Sequence, residues 1–181
     1  MRLLSGLVLI SGLLSLTTAV ADPGAEPGFT PLFNGKDLTG WKTKKGGVSL
    51  EGKAEAYNKR FVVEGEELVI DPKVKGDVII ETARTFSEDV IIRFEFKPSE
   101  GCNNDLFLRG VKFDLTPKNV TNMKLDAWNA FEIVVRNGKV EFRNNEEPLK
   151  TVAAKPMATP LGIRAEFGAI RFRHFRYREG K

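Results

Sequence analysis

The sequence predicts an all-β protein, an antiparallel sandwich of two packed sheets. Three observations carry that expectation. Val90, Ile92, Phe94 and Phe96 alternate with Asp89, Ile91, Arg93, Glu95 and Lys97, the period of two that a strand with one buried face requires. Similar alternating runs recur along the chain, separated by glycine- and asparagine-rich turns. No stretch keeps an apolar helical period for three turns, and no internal repeat or low-complexity tract is present. Strands of this kind, about ten to twelve of them, bury their apolar faces as two stacked sheets.

Met1-Arg2 precedes an uncharged run from Leu3 to Ala19, and Ala19-Val20-Ala21 is a small-x-small cleavage pattern. Residues 1–21 therefore read as a secretory signal peptide. A membrane anchor would need about 20 apolar residues. The expected mature protein begins at Asp22, is secreted or periplasmic, and has no membrane attachment once the signal is removed. Residues 22–28, with two prolines and two glycines, read as a linker, and residues 29–178 as one sandwich domain. Loss of Arg2 lowers the formal net charge from +4 to +3. That balance is too mild for a dedicated nucleic-acid binder. Cys102 is the only cysteine, so the chain forms no internal disulfide, and a buried thiol is the expectation. Nothing in the sequence sets an oligomeric state.

Taken in order, Phe29, Leu32 and Phe33 anchor a first strand and loop, Asn34-Gly35 turns the chain, and Leu38 and Trp41 close the block. Residues 42–60 are polar and glycine-rich and define no element. Phe61-Val62-Val63 and Leu68-Val69-Ile70 form a hairpin around Gly65, and Val78-Ile79-Ile80 is a short apolar strand. The run from Val90 stops at Pro98, which has no N–H to donate, and Gly101-Cys102-Asn103-Asn104 turns the chain. The run Asn104–Gly110 is then expected to pair with it as a central hairpin, placing Phe107 and Arg109 on the outer face with Arg93 and Glu95. Val111–Leu115 alternates again, and Asn137-Gly138 between Phe131–Arg136 and Lys139–Arg143 is the strongest hairpin signal in the chain. At the end, Ile170 and Phe172 have one parity and Phe175 and Tyr177 the other. One extra residue near Arg173-His174, a β-bulge, would return all four to the core. The expected core includes Val90, Ile92, Phe94, Phe96, Phe131, Ile133 and Val135, with Trp41 and Trp128 inside as well.

With no phosphate-binding glycine loop, no cysteine pair and one histidine, neither a cofactor nor a metal is expected. What remains is carboxylate and guanidinium chemistry. On residue types alone, Glu95 and Arg109 are a solvated cross-strand ion pair worth under about 1 kcal/mol, or a base beside a cation that holds a sugar hydroxyl. His174 reads as structural. Arg171, Arg173, Arg176 and Arg178 read as the solvated side of the last strand, with a polyanion-binding stripe as the alternative.

The block Phe29-Thr30-Pro31-Leu32-Phe33-Asn34-Gly35-Lys36-Asp37-Leu38-Thr39-Gly40-Trp41 resembles the opening of the 3-keto-disaccharide hydrolase domain family. The likeness runs from Phe29 to Tyr177 and implies a concanavalin-like jelly roll. It also implies a carbohydrate or modified sugar as partner. Family members read Glu-Phe-Arg, a glycine- and asparagine-rich loop, Asn-Ser-Gly, an apolar pair and Arg-Gly; Glu95, Asn103 and Arg109 match, while Asn104-Asp105 replaces Ser-Gly. A later Gly-Leu-Gln-x-Glu-Gly becomes Gly162-Ile163-Arg164-Ala165-Glu166-Phe167. Lys112-Phe113-Asp114 stands where a Glu and a Gln are usual, and the segment Val111–Asp126 is short. The resemblance thus implies Glu95, Arg109 and Glu166 as catalytic residues converging on one face. Arg93, Asn103, Asn104 and Arg164 are the candidate sugar-binding residues. The implied chemistry is elimination or hydrolysis of a 3-keto-glycoside: the C3 ketone acidifies the C2 proton, one carboxylate removes it, and Arg and Asn donors hold the enolate oxygen. The alternative is a non-catalytic glycan-binding or interaction module on the same scaffold.

Overall fold

The computed structural model describes residues 26–87 and 89–180. The signal peptide, the Asp22 start and most of the linker lie outside the described residues. Fourteen strands make two antiparallel sheets. The larger contains β1 (Thr30–Pro31), β3 (Glu55–Ala56), β4 (Phe61–Glu64), β5 (Glu67–Ile70), β7 (Val90–Pro98), β10 (Asn129–Arg136), β11 (Lys139–Asn144), β12 (Glu147–Ala153) and β14 (Ile170–Glu179). The smaller contains β2 (Trp41–Thr43), β6 (Val78–Thr82), β8 (Asn103–Leu108), β9 (Val111–Leu115) and β13 (Gly162–Phe167).

The nine-stranded sheet runs β12-β11-β10-β7-β14-β5-β4-β3, with β1 added beside β14, and the five-stranded sheet runs β2-β6-β13-β8-β9. Their inner faces meet in one core. Val90, Ile92, Phe94 and Phe96 are each at most 1% exposed, and Phe131, Ile133 and Val135 are buried opposite them. Phe94 sits among Phe131, Phe172 and Phe175, with ring centroids 5.2, 5.8 and 4.6 Å away. The sequence expectation for this core holds. So does the bulge in β14: between Arg173 and Arg176 the pairing with β7 slips, and His174 takes a left-handed φ of 56°. The hairpin turn at Asn137-Gly138 has φ of 49° and 69°, the two positive values that a type I′ turn demands.

The central hairpin expected between the run from Val90 and the run Asn104–Gly110 does not form. β7 pairs with β10 on one edge and with β14 on the other, so it has no free edge left. The chain instead crosses between sheets after Pro98, and β8 pairs with β13 and β9. β12 and the short strands β2 and β3 carried no sequence signal strong enough to place them.

Candidate functional site

Each sheet presents one outer face to solvent, and the candidate site residues divide between them. On the five-stranded sheet, the outward positions are Ile79 and Glu81 of β6, Gly162, Arg164 and Glu166 of β13, Asp105 and Phe107 of β8, and Lys112 and Asp114 of β9. Arg164 is opposite Asp105, and Asp105 is opposite Asp114. Arg164 is the hub. Its Nη1 donates to Asp105 Oδ2 at 2.9 Å, its Nε to Asp77 Oδ1 at 2.7 Å and its Nη2 to Glu166 Oε1 at 2.5 Å. Lys112 Nζ lies 3.2 Å from Asp105 Oδ2 and 2.7 Å from Asp114 Oδ1.

Asp105 points outward yet its side chain is fully covered by this roof of cations. Burial, with Asp114 opposite, pushes its carboxyl up to about 6. Asp114 moves the other way, held low by hydrogen bonding to Asp105 and Lys112. Beside this network a groove of about 370 Å³ is floored by Phe107 and lined by Lys44, Glu81, Lys112 and Gly162. Gly162 lies beside the ring, and a Cβ there would stand in van der Waals contact with it, 3.4 Å from Phe107 Cβ. Lys44 Nζ lies 5.0 Å from the ring centroid.

On the nine-stranded sheet, a groove of about 450 Å³ is lined by Arg93, Glu95, Ala130, Glu132, Arg143 and Arg176 among others. Most of its charges are engaged in ion pairs, some of them shared. Arg173 Nε donates to Glu95 Oε2 at 2.6 Å, Arg93 Nε to Glu132 Oε2 at 2.6 Å, and Arg176 Nε to Glu26 Oε2 at 2.8 Å. Glu26 also pairs with Arg93. Arg171 holds Glu67, so three arginines of the last strand are paired with acids within the protein, while Arg178 stacks on the Phe29 ring and keeps its charge. Trp128, expected in the core, is half-buried on this side instead, with Arg173 4.0 Å and Lys97 5.2 Å from its ring. Trp41 is in the core as expected, 1% exposed.

The structure therefore does not bring Glu95, Arg109 and Glu166 together. Glu95 and Arg93 lie on the outer face of the larger sheet, and Glu166 and Arg164 on that of the smaller. Arg109 is a buried clamp. With Gly110 it makes the two-residue turn between β8 and β9, both with positive φ. Its Nε donates to Lys155 O at 3.0 Å and its Nη1 to Ser87 O at 2.8 Å. Gly110, the second residue of that turn, has a φ of 71°, a backbone conformation that favours glycine. Asn104 is buried, donating to Phe167 O and accepting from the Glu166 amide, while Asn103 is half-buried at the start of β8. Cys102 is buried, and burial raises its thiol to about 11, so it stays protonated. Among the described residues no group of three or more His, Cys, Asp or Glu is placed to hold a metal ion.

Asp105, Lys112 and Asp114 figure in the sequence reading only as departures from the family wording, and Phe107 only as an outward-facing ring, none of them as a site residue. The signal was present nonetheless: the departures from the family wording at 105, 112, 114 and 164 alternate in sign, and all have outward parity. The structure gathers them into one self-compensating network.

Residues 28–120 match the model of the 3-keto-alpha-glucoside-1,2-lyase-like domain, which is the family that the opening block resembles. The chain belongs to this family. No curated protein matches the chain. Among solved structures, two candidate glycosyl hydrolases from Parabacteroides distasonis share the fold. The first has TM-score 0.64 and 18% identity, covering 85% of this chain and 95% of the other. The second has TM-score 0.61 and 14% identity, covering 84% and 99%. The carbohydrate-binding module CBM66 from Bacillus subtilis has TM-score 0.55 and 11% identity, covering 78% and 96%. These likenesses show the fold alone, and what the protein does has to be read from the side chains on its outer faces.

Proposed function

We propose that the protein is an exported, carbohydrate-binding member of the family that holds a glycan against the outer face of the five-stranded sheet. The observation that supports this reading is that Asp105, Lys112, Asp114 and Arg164, where the chain departs from the family wording, meet on that face with the matching Glu166, and each carboxylate there has a cationic partner. Asp77, Asp105 and Glu166 are held by Arg164, Asp114 by Lys112, and Glu81 by Lys42. Elimination from a 3-keto-glycoside needs a base free to reach the C2 proton. Recognition needs less: an aromatic floor at Phe107 and fixed donors and acceptors around it.

Family membership and the matching Glu166 favour a second reading, elimination at a 3-keto-glycoside with Glu166 as base. The two readings part in one experiment. The mature protein is screened on a glycan array and incubated with 3-keto-glucosides under the same conditions. Binding that Phe107→Ala abolishes, with the keto-sugars left intact, supports the binding reading. Consumption of a 3-keto-glucoside that Glu166→Gln abolishes overturns it in favour of the lyase. For export, N-terminal sequencing of protein recovered from the host is expected to begin at Asp22; Met1 retained on membrane-bound protein would contradict it.

A further inference from the structure

Phe167 is 60% exposed at the end of β13. A single exposed apolar residue is ordinary on any protein surface. What sets this one apart is how it is turned out. By simple alternation Phe167 has the parity of Ile163 and Ala165, both buried in the core. Between Arg164, opposite Asp105, and Phe167, opposite Asn103, the pairing of β13 with β8 slips. Two residues of β13, Ala165 and Glu166, thus stand against the single Asn104. This β-bulge returns Phe167 to the outer face, the re-aiming that bulges perform beside binding sites. Gly168 then bends the chain with a φ of 71°, and a Cβ there would meet Cys102 Cα at 2.6 Å, so the presentation of Phe167 is built into the backbone.

Phe167 borders a second groove, of about 420 Å³, walled by Pro72, Val74 and Arg60 and touching Asp77 and Glu166. The same face therefore carries two grooves, each with an aromatic ring, separated by the Arg164 network. From Gly162, beside Phe107, to Phe167 is five residues of strand, on the order of 16 Å at about 3.3 Å per residue. That is longer than one pyranose ring.

The geometry points to a site for a chain-like oligosaccharide laid along β13, with one sugar on Phe107, another on Phe167, and the intervening hydroxyls on Arg164 and its acids. This inference rests on the carbohydrate reading above and adds the class of ligand. Arg60 supports the far end from below: its Nη2 donates to Glu166 O at 2.8 Å and its Nε to Gly76 O at 3.1 Å, fixing both walls of the second groove.

The test is an array of α- and β-linked glucose, galactose and mannose oligosaccharides of increasing length, from the monosaccharide upward. The series that binds is then titrated by calorimetry. Affinity is expected to rise with length until both grooves are filled. Phe167→Ala is expected to weaken the longer ligands severalfold and leave the shortest ligand that binds unchanged, whereas Phe107→Ala weakens every length. Equal affinity for the monosaccharide and the longer chains, or no effect of Phe167→Ala on any length, would overturn the extended site while leaving the carbohydrate reading in place. No binding to any sugar by the unmodified protein would overturn both.

Discussion

Along β14, Arg171, Arg173 and Arg176 each meet a glutamate brought from elsewhere, Glu67, Glu95 and Glu26. On the opposite outer face a single arginine, Arg164, serves three acids, one of which is fully covered. The first arrangement combines two separate pairs with one chain, Arg176–Glu26–Arg93–Glu132, all of them partly exposed to screening solvent. The second is a coupled network in which a buried carboxyl, two cations and a facing acid depend on one another. The two faces have the same residue types and similar groove sizes. Each face also carries an aromatic ring beside its charges: Trp128 on the first lies under both Arg173 and Lys97, Phe107 on the second under Lys44 alone.

That contrast can be broken or sharpened in order of effect. Both faces stand on one core, so Phe94→Ala should cost most, about 3–5 kcal/mol by chemical denaturation, from lost burial and the cavity left behind. A loss below about 1 kcal/mol would place Phe94 outside the core and shift β7 by one residue. Arg109→Ala should follow, on the order of 3 kcal/mol, because two charge-assisted hydrogen bonds to backbone carbonyls disappear. Glycan binding by the folded fraction should persist. Lost binding with unchanged stability would return Arg109 to the site.

Asp105 should give a pH signature of its own. Its carboxyl, at about 6 in the folded protein, lies above its unfolded value of about 3.9. Between those values the folded state therefore holds more proton than the unfolded one, and this stabilisation is lost as the pH rises through about 6. Relative to Asp105→Asn, the unmodified protein should lose on the order of 2 kcal/mol between pH 4 and pH 7. A constant difference across that range would mean that Asp105 stays ionised throughout. The smallest effect belongs to Glu95→Gln, which breaks an exposed pair with Arg173 and should cost under about 1 kcal/mol without altering glycan binding. A larger loss of binding than that caused by Phe107→Ala would move the site to the other face.

The bulge near His174 illustrates what was legible locally. A parity slip between Phe172 and Phe175 needs one extra residue whatever surrounds it, and that residue is where φ turns positive. The same reasoning was available for Trp128 and failed for Phe167. Trp128 has the outward parity of Ala130 and Glu132, which register places on the outer face, and its apolar neighbours masked this. Phe167 follows Ile163 and Ala165 in parity, and only the pairing with β8 reveals that the phase has changed.

By itself the sequence determined the all-β class, the buried side of each long strand, the Asn137-Gly138 turn and the family, because periodicity and turn chemistry act over a few residues. It did not determine which strand lies beside which. Alternation states which face of a strand is apolar and is silent about its two edges, since every strand offers the same backbone donors and acceptors. Only the tertiary structure filled both edges of β7 with β10 and β14, sent β8 to the other sheet, and so separated Glu95 from Glu166. The same long-range pairing laid Asp105, Asp114 and Arg164 side by side, which made a site of residues that are far apart in the chain.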